Sequence, residues 1–185
     1  MDSLIRQVLS ELEACVSQVC VESLTQALAL IESAPRIFVT GAGRSGLCMR
    51  AFGMRLMHLG KTVYVVGETT TPGIAAKDLF ILGSGSGRTS SLLAMARQAR
   101  NHDAKVLVIT TDATSPIAEL ADQLVIIPAP SLRMKDGERD QMSIQPMGTL
   151  FEQALLILCD SLILSMMRQT RVSAANMLER HANLE

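Results

Sequence analysis

Hydrophobic positions along the chain follow two spacings, one typical of helices and one typical of buried strands. Residues 3–33 contain no Gly or Pro, and their apolar positions recur every three or four residues, which predicts one long helix or two short ones. The same spacing predicts further helices at 45–59, 90–101, 149–168 and 173–180, with a short one at 116–121. Short apolar runs predict strands at 36–40, 62–66, 79–82, 105–110 and 124–127. This alternation predicts a three-layer α/β fold, a single domain over residues 1–185 in which helices cover both faces of a five-stranded parallel sheet. Extra helices are expected at both ends.

The amino-acid composition argues against several classes of function. The formal net charge is −1 and aromatic residues make up 3% of the chain, so no basic field or stacking surface favours nucleic acid. The most apolar stretch, 155–167, is expected to be too short to span a bilayer, and no signal peptide is expected at the N-terminus. Four cysteines are scattered without zinc-ligand spacing. We therefore expect a cytoplasmic protein that binds no nucleic acid, membrane or metal.

A turn rich in Gly, Ser and Thr follows the third predicted strand, at residues 83–91. Three glycines allow the backbone to turn tightly, five hydroxyls can donate hydrogen bonds, and a predicted helix begins immediately afterwards. These donors suit the oxygens of a phosphate monoester. A Ser-rich helix cap is the alternative interpretation. No Lys follows the glycines, so the turn is not a nucleoside triphosphate P-loop.

A second glycine-rich loop, residues 41–46, follows the first predicted strand and matches G-x-G-x-x-G. With Glu68 near the end of the next strand, it fits a dinucleotide fingerprint, although this motif alone is weak evidence. Because the carboxyl ends of parallel strands lie at one edge of a sheet, we expect both loops to face a single ligand. A dinucleotide would leave the loop at 83–91 unexplained, so a sugar phosphate is the better fit.

Together, the two loops resemble the signature loops of the sugar isomerase (SIS) domain family. Residues 67–72, 145–153 and 180–185 further resemble the 6-phospho-3-hexuloisomerase branch of that family, and the similarity extends over essentially the whole chain. The resemblance implies a flavodoxin-like fold and the interconversion of D-arabino-3-hexulose 6-phosphate and fructose 6-phosphate through a 2,3-enediol. It implies no cofactor, and a homodimer or homotetramer with shared active sites. The branch serves formaldehyde assimilation, the ribulose monophosphate pathway, or pentose synthesis, and the sequence leaves that choice open.

The proposed reaction needs a base with an adjustable pKa. Glu152, in the first turn of an apolar helix, is the candidate, although an acid there could simply complement the helix dipole. His181 is the second catalytic candidate, with a solvated tail residue as the alternative. His58 and His102 end helices and are expected to be favourable C-terminal cations. The residues expected to bind the phosphate or the sugar are Gly43, Arg44, Ser45, Thr71, Ser84, Gly85, Ser86, Gly87 and Thr89.

One position departs from the family pattern. The second loop of the family usually reads S-G-E-T, whereas this chain has Arg88 in place of the acid. Arg88 is expected either to add a contact to the phosphate or to point towards solvent or a neighbouring subunit. Two other functions stay open: a different aldose–ketose isomerase, such as one for arabinose 5-phosphate, and a sugar-phosphate-binding module without catalysis.

Overall fold

The computed structural model describes residues 1–130 and 143–184, and within them lie helices and parallel strands in alternation. The helices are α1 (Asp2–Val16), α2 (Val21–Ser33), α3 (Gly43–His58), α4 (Ser90–Asn101), α5 (Thr149–Thr170) and α6 (Ala174–Leu178), with a 3-10 turn at Ala118–Leu120. The strands are β1 (Ile37–Gly41), β2 (Val63–Val65), β3 (Leu79–Gly83), β4 (Lys105–Thr110) and β5 (Gln123–Ile126). The N-terminal segment is two helices, bent by 78° where the helical pattern stops at residues 17–20. Most of the predicted surface loop at 128–145 falls outside the described residues.

The five strands form one parallel sheet in the order β2-β1-β3-β4-β5. The chain runs from β1 outwards to β2 and then returns to the other side of β1 with β3. This order is the flavodoxin-like one, so the predicted fold class is confirmed. The order reverses between β1 and β3, and a crevice forms at that point beyond the carboxyl ends of the two strands.

Alternating side chains of each strand supply two separate cores. On one face, Ile37, Val39 and Ile81 pack with α1, α2, α3 and α5. On the other face, Phe38, Phe80 and Leu82 pack with α4 and the 3-10 turn. Because both faces are covered, the strands have few polar positions before their carboxyl ends, as expected for a parallel sheet. The strands lie where they were predicted, and no strand end differs by more than one residue.

Helix α5 extends beyond the most apolar stretch of the sequence, residues 155–167, at both ends. The whole helix has 22 residues and is long and apolar enough to cross a bilayer by length and composition, whereas the stretch 155–167 within it is too short by itself. Half of its most apolar window is buried inside the fold, where Leu155, Cys159 and Ile163 contribute to the core. A core helix of a soluble protein has these properties. The helix ends at Thr170, and the next residue, Arg171, has a left-handed φ of 58°.

Candidate active site

A cavity of about 400 Å³ lies at the carboxyl ends of β1 and β3, where the strand order reverses. Both glycine-rich loops contribute to its walls, and the first turn of α5 closes it. Eight of the residues proposed from the sequence line this cavity: Gly43, Arg44, Ser45, Ser84, Gly85, Ser86, Thr89 and Glu152. Both loops line one cavity, as binding of a single ligand by the two loops requires.

Three helices begin at the wall of this cavity. The residues that precede α3, α4 and α5 are Ala42, Thr89 and Gly148, and none of them caps its helix through a side-chain hydrogen bond. The first-turn N–H groups of a helix have no partner within the helix, and its dipole is positive at this end. Three such ends at one cavity make a site for an anion that is built mainly from backbone groups.

The first loop depends on a close approach between strand and helix. A Cβ added to Gly46 would lie 2.6 Å from the carbonyl oxygen of Gly41, too close for any side chain. Glycine at both positions lets α3 begin directly against the end of β1. Arg44 and Ser45 are thereby held in the first turn of α3. Since Ala42 precedes the helix, Ser45 is not its cap, and the alternative role considered for Ser45 does not apply.

The second loop is fastened to β4 on its outer side. The carbonyl oxygen of Gly85 accepts hydrogen bonds from the Thr110 hydroxyl at 3.1 Å, the Thr111 hydroxyl at 2.8 Å and the Thr111 N–H at 3.1 Å. The Ser84 N–H donates to the carbonyl of Ile109 and extends the sheet by one bond. Because the carbonyl of Gly85 is engaged behind the loop, the opposite side of the loop is left to face the cavity. The role of Thr110 and Thr111 in holding this loop was not predicted from the sequence, because a strand pattern does not show which group a side chain will bond.

Glu152 and Arg44 are the charged groups among the described residues that line the cavity. Arg44 Nε donates to Glu152 Oε2 at 2.5 Å, so the ion pair joins the first turns of α3 and α5. The Glu152 side chain is 17% exposed and that of Arg44 is 62% exposed. Within residues 1–130 and 143–184, no group of three His, Cys, Asp or Glu side chains is arranged to hold a metal ion.

Gly87 and Arg88 do not line the cavity, although they lie in the second loop. Gly87 has a φ of 59°, and a Cβ there would overlap the side chain of Ser115. Its N–H donates to the carbonyl of Ser84, so it shapes the loop. Arg88 turns outwards and donates from a terminal nitrogen to Asp112 Oδ2 at 3.0 Å, on the loop after β4. Neither residue lines the cavity within this chain, and Arg88 follows the second of its two expected directions, away from the proposed phosphate position.

Thr71 and Glu68 lie at a different cavity, beside β2. The Thr71 hydroxyl donates to the carbonyl of Val65 at 2.7 Å, which closes the turn after the strand. Glu68 pairs with Arg50 at 2.8 Å, and both side chains are about half exposed. Thr71 therefore does not lie at the proposed sugar site of its own chain. Glu68 does not line the cavity at the first loop, where the acid of a dinucleotide-binding motif would lie.

His181 packs at the other end of α3, against His58. Their ring centroids are 5.3 Å apart and the rings are stacked. His58 is the fourteenth residue after Arg44 on α3, which corresponds to about 20 Å along the helix axis. His181 therefore lies far from Glu152 of the same chain. His58 is 2% exposed, and burial, followed by the nearby Arg55 and His181, lowers its pKa, so the expectation of a cation there was wrong.

Several cavity residues were not proposed from the sequence. Ala42, Leu92, Pro130, Met147, Gly148 and Phe151 line it as well. Met147 has a φ of 57°, an unusual backbone conformation for a side chain of this size. Apolar residues carry no sign of a ligand in a sequence, and it is the packing of α4 and α5 on the sheet that brings Leu92 and Phe151 here.

The comparisons with known proteins agree with this fold. The SIS domain model matches residues 30–157. Relatives include a 3-hexulose-6-phosphate isomerase of Mycobacterium gastri, 47% identical over 81% of this chain and 74% of that protein. A Bacillus subtilis protein of the same name is 39% identical over 98% of this chain and 97% of its own.

A solved structure from Methanococcus jannaschii, from which a 3-hexulose-6-phosphate isomerase function was inferred for that protein, is also similar. It has a TM-score of 0.83 and 34% identity, covering 99% of both chains. The matched family segment contains both glycine-rich loops and Glu152. The chain belongs to the SIS domain family.

Proposed function

We propose that the chain is an isomerase that interconverts D-arabino-3-hexulose 6-phosphate and fructose 6-phosphate. The observation that carries the proposal is the meeting of three uncapped helix N-termini around a cavity with one described carboxylate, Glu152. The first feature suits the phosphate of a sugar phosphate, and the second suits transfer of a proton on the sugar. The relatives named above, similar over most of their length, support the choice of substrate.

The phosphate is proposed to bind at the second loop and the start of α4. Ser84, Ser86 and Thr89 place hydroxyl groups beside backbone N–H groups there. A phosphate monoester carries close to two negative charges at neutral pH, and the helix end favours that charge without a lysine. Ser45, on the first loop, remains a candidate for contact with the sugar hydroxyls, whereas the Nε of Arg44 is engaged by Glu152.

The chemical step requires a base beside the sugar chain. In our proposal, Glu152 takes the proton from C2 of the 3-hexulose, and the C2–H electrons form the C2–C3 double bond of the enediol while the C3 oxygen gains a proton. Return of the proton to C3 and loss of the proton on the C2 oxygen give fructose 6-phosphate. The exchange is internal to the substrate, so the atoms and electrons balance without an oxidant or reductant.

A role for His181 requires a second copy of the chain. Within one chain the histidine lies at the far end of α3, so we propose that His181 of a partner subunit moves the proton between the C2 and C3 oxygens. Exposed apolar residues provide surfaces for association, on α1 at Leu4, Ile5 and Leu9 and on α5 at Leu156, Ile157 and Leu164. We further propose that the protein works in the cytoplasm, because phosphorylated sugars do not diffuse across membranes.

A coupled assay tests the function. 3-Hexulose 6-phosphate is generated from ribulose 5-phosphate and formaldehyde by a synthase, the purified protein is added, and fructose 6-phosphate is measured. We expect formation of fructose 6-phosphate at a rate proportional to the amount of protein. Arabinose 5-phosphate and glucose 6-phosphate serve as competing substrates. Faster turnover of either compound than of the hexulose phosphate would replace the proposed substrate. If the protein binds these sugar phosphates but converts none of the three, a sensing module without catalysis is favoured.

A further inference from the structure

Arg44 contacts the proposed base directly, in a geometry that determines where the carboxylate can point. Its Nε donates to Glu152 Oε2 at 2.5 Å, and the other carboxylate oxygen accepts no hydrogen bond from the residues the structure describes. An Nε contact fixes one edge of the guanidinium and leaves its terminal N–H groups unused by this pair. One oxygen of Glu152 is therefore held, and the other is left for a substrate.

Cys48 holds the backbone of the same residue. Its Sγ lies 3.3 Å from the carbonyl oxygen of Glu152. Burial, and then the nearby Glu152 carboxylate, raises the pKa of the Cys48 thiol, while Arg44 opposes the shift. The thiol consequently keeps its proton and can donate. Arg44 and Cys48 are four residues apart, so both lie on the face of α3 that contacts α5.

A glutamate side chain has three rotatable bonds, and an unheld carboxylate would sample several orientations. Proton transfer from carbon needs the carboxylate oxygen at a set distance and angle, and small displacements lower the rate strongly. The ion pair is worth little for stability, since Arg44 is mostly exposed. The Arg44–Glu152 ion pair is therefore better explained as a contact that orients Glu152 than as one that stabilises the fold.

We infer that Arg44 is a positioning residue that orients the Glu152 carboxylate towards the substrate, with Cys48 securing the backbone behind it. This inference rests on the proposed isomerase function. It differs from the role given to Arg44 by the sequence, which was contact with sugar hydroxyls. A residue that binds sugar raises KM when it is removed, whereas a residue that orients the base lowers kcat and leaves KM nearly unchanged.

The test compares Arg44→Gln, Arg44→Lys and Arg44→Ala with the wild type. For Arg44→Gln we expect kcat to fall by about 10–100-fold with KM changed by less than about threefold. Lysine, which lacks the planar fork, should recover only part of the rate. Added guanidinium ion should raise the kcat of Arg44→Ala and leave that of Arg44→Gln unchanged, because only the alanine variant leaves space for it. A tenfold rise in KM at constant kcat would overturn the inference.

A double variant decides whether Arg44 acts through Glu152. If it does, Arg44→Gln should lower the residual rate of Glu152→Gln by less than about twofold, because nothing is left to orient. If the rate of the double variant instead falls by the product of the two single-variant effects, the inference is contradicted. Cys48→Ala should lower kcat by a smaller factor than Arg44→Gln. Circular dichroism and thermal denaturation identify any variant that fails to fold.

The proposed function and the positioning role can fail separately. If the wild type does not interconvert the two ketose phosphates, the function proposal fails. The orientation of Glu152 can still be compared in crystal structures of the wild type and Arg44→Gln. We expect one Glu152 rotamer in the wild type and several, or a different one, in the variant. The same single rotamer in both structures would overturn the positioning role.

Discussion

At the scale of single residues, the site separates binding from chemistry. The donors proposed for the phosphate are backbone N–H groups and three hydroxyls, whereas the proposed proton transfer depends on Glu152. A change that removes the carboxylate without changing its shape should therefore affect one function and spare the other.

Glu152→Gln is expected to lower kcat by about 10²–10⁴-fold, the contribution typical of a positioned general base. Binding of inorganic phosphate and fructose 6-phosphate, measured by calorimetry, should change little. Glu119→Gln, which alters an exposed acid on the 3-10 turn, is the matched control and should behave like the wild type. Activity close to that of the wild type in Glu152→Gln would remove Glu152 as the base.

Arg88 offers a second test at this scale, because it occupies the position where the family usually has an acid. Its partner is Asp112, whose pKa is lowered by hydrogen bonds from the Thr114 hydroxyl and N–H and by Arg88. Arg88→Glu would set two carboxylates side by side and is expected to destabilise the fold by about 1 kcal/mol. KM should stay within about threefold, since Arg88 lies outside the cavity. Thermal denaturation and initial rates measure both quantities.

Arg88→Gln is the control, because it removes the cation without adding an anion. Its stability should fall between those of the wild type and Arg88→Glu. A large rise in KM for either variant would mean that Arg88 reaches the phosphate after all.

At the scale of elements, one carboxylate ties α1 to the segment that enters α5. Glu11 Oε1 accepts from the Ile144 N–H at 2.8 Å, and Oε2 accepts from the Ser143 hydroxyl at 2.7 Å and the Gln145 amide at 3.0 Å. Burial alone would raise the pKa of Glu11, but these hydrogen bonds outweigh it and leave the pKa lowered. The segment continues to Met147 and Gly148 at the cavity, so this contact also sets one wall of the site.

Glu11→Gln is expected to cost about 1–3 kcal/mol of unfolding free energy at pH 7, because its amide N–H₂ would face donors. A lowered pKa stabilises the fold above the ordinary value of 4.5, and that stabilisation is lost as the pH falls through the folded-state pKa. The difference in unfolding free energy between the wild type and Glu11→Gln should therefore become smaller below about pH 4. Urea unfolding at pH 7 and pH 3.5 measures it. Glu13→Gln, exposed on the same helix, is the control, and a gap that is constant with pH would contradict the assignment.

The success of the sequence-based prediction differs between elements and contacts. Strand positions, both glycine loops and the placement of Glu152 at the start of α5 followed from periodicity and from the rule that parallel strands end at one edge. The directions of Arg88 and Thr71 did not follow. They are set by Asp112, which is 24 residues away, and by the carbonyl of Val65, and local spacing carries no information about such partners. His181 was likewise placed by its packing on His58.

At the scale of the whole molecule, the two proposed catalytic residues lie at opposite ends of α3 within one chain. If both act on one substrate, each site combines Glu152 of one subunit with His181 of another. Such an arrangement makes activity depend on assembly of the oligomer. It also means that a mixed oligomer of two inactive variants can contain an intact site and recover activity.

Glu152→Gln and His181→Ala should each be nearly inactive alone. Mixed and refolded together, they should regain about a quarter of the wild-type activity for random dimers, since half of the sites in half of the dimers are intact. Mass measurement in solution checks that mixed oligomers form. No recovery in confirmed mixed oligomers would mean that sites are not shared. A fully active His181→Ala would show that His181 has no catalytic part.

The three helix ends at the cavity also bear on how this family can change. Donors that belong to the main chain cannot be altered by exchanging side chains, so a phosphate site of this kind persists through extensive sequence drift. Variation in the remaining wall, at positions such as Met147 and Leu92, can then alter which sugar is accepted while the anchor is inherited unchanged. New substrates would be gained at the sugar end of the cavity, and the requirement for a phosphate would be the trait that descendants keep.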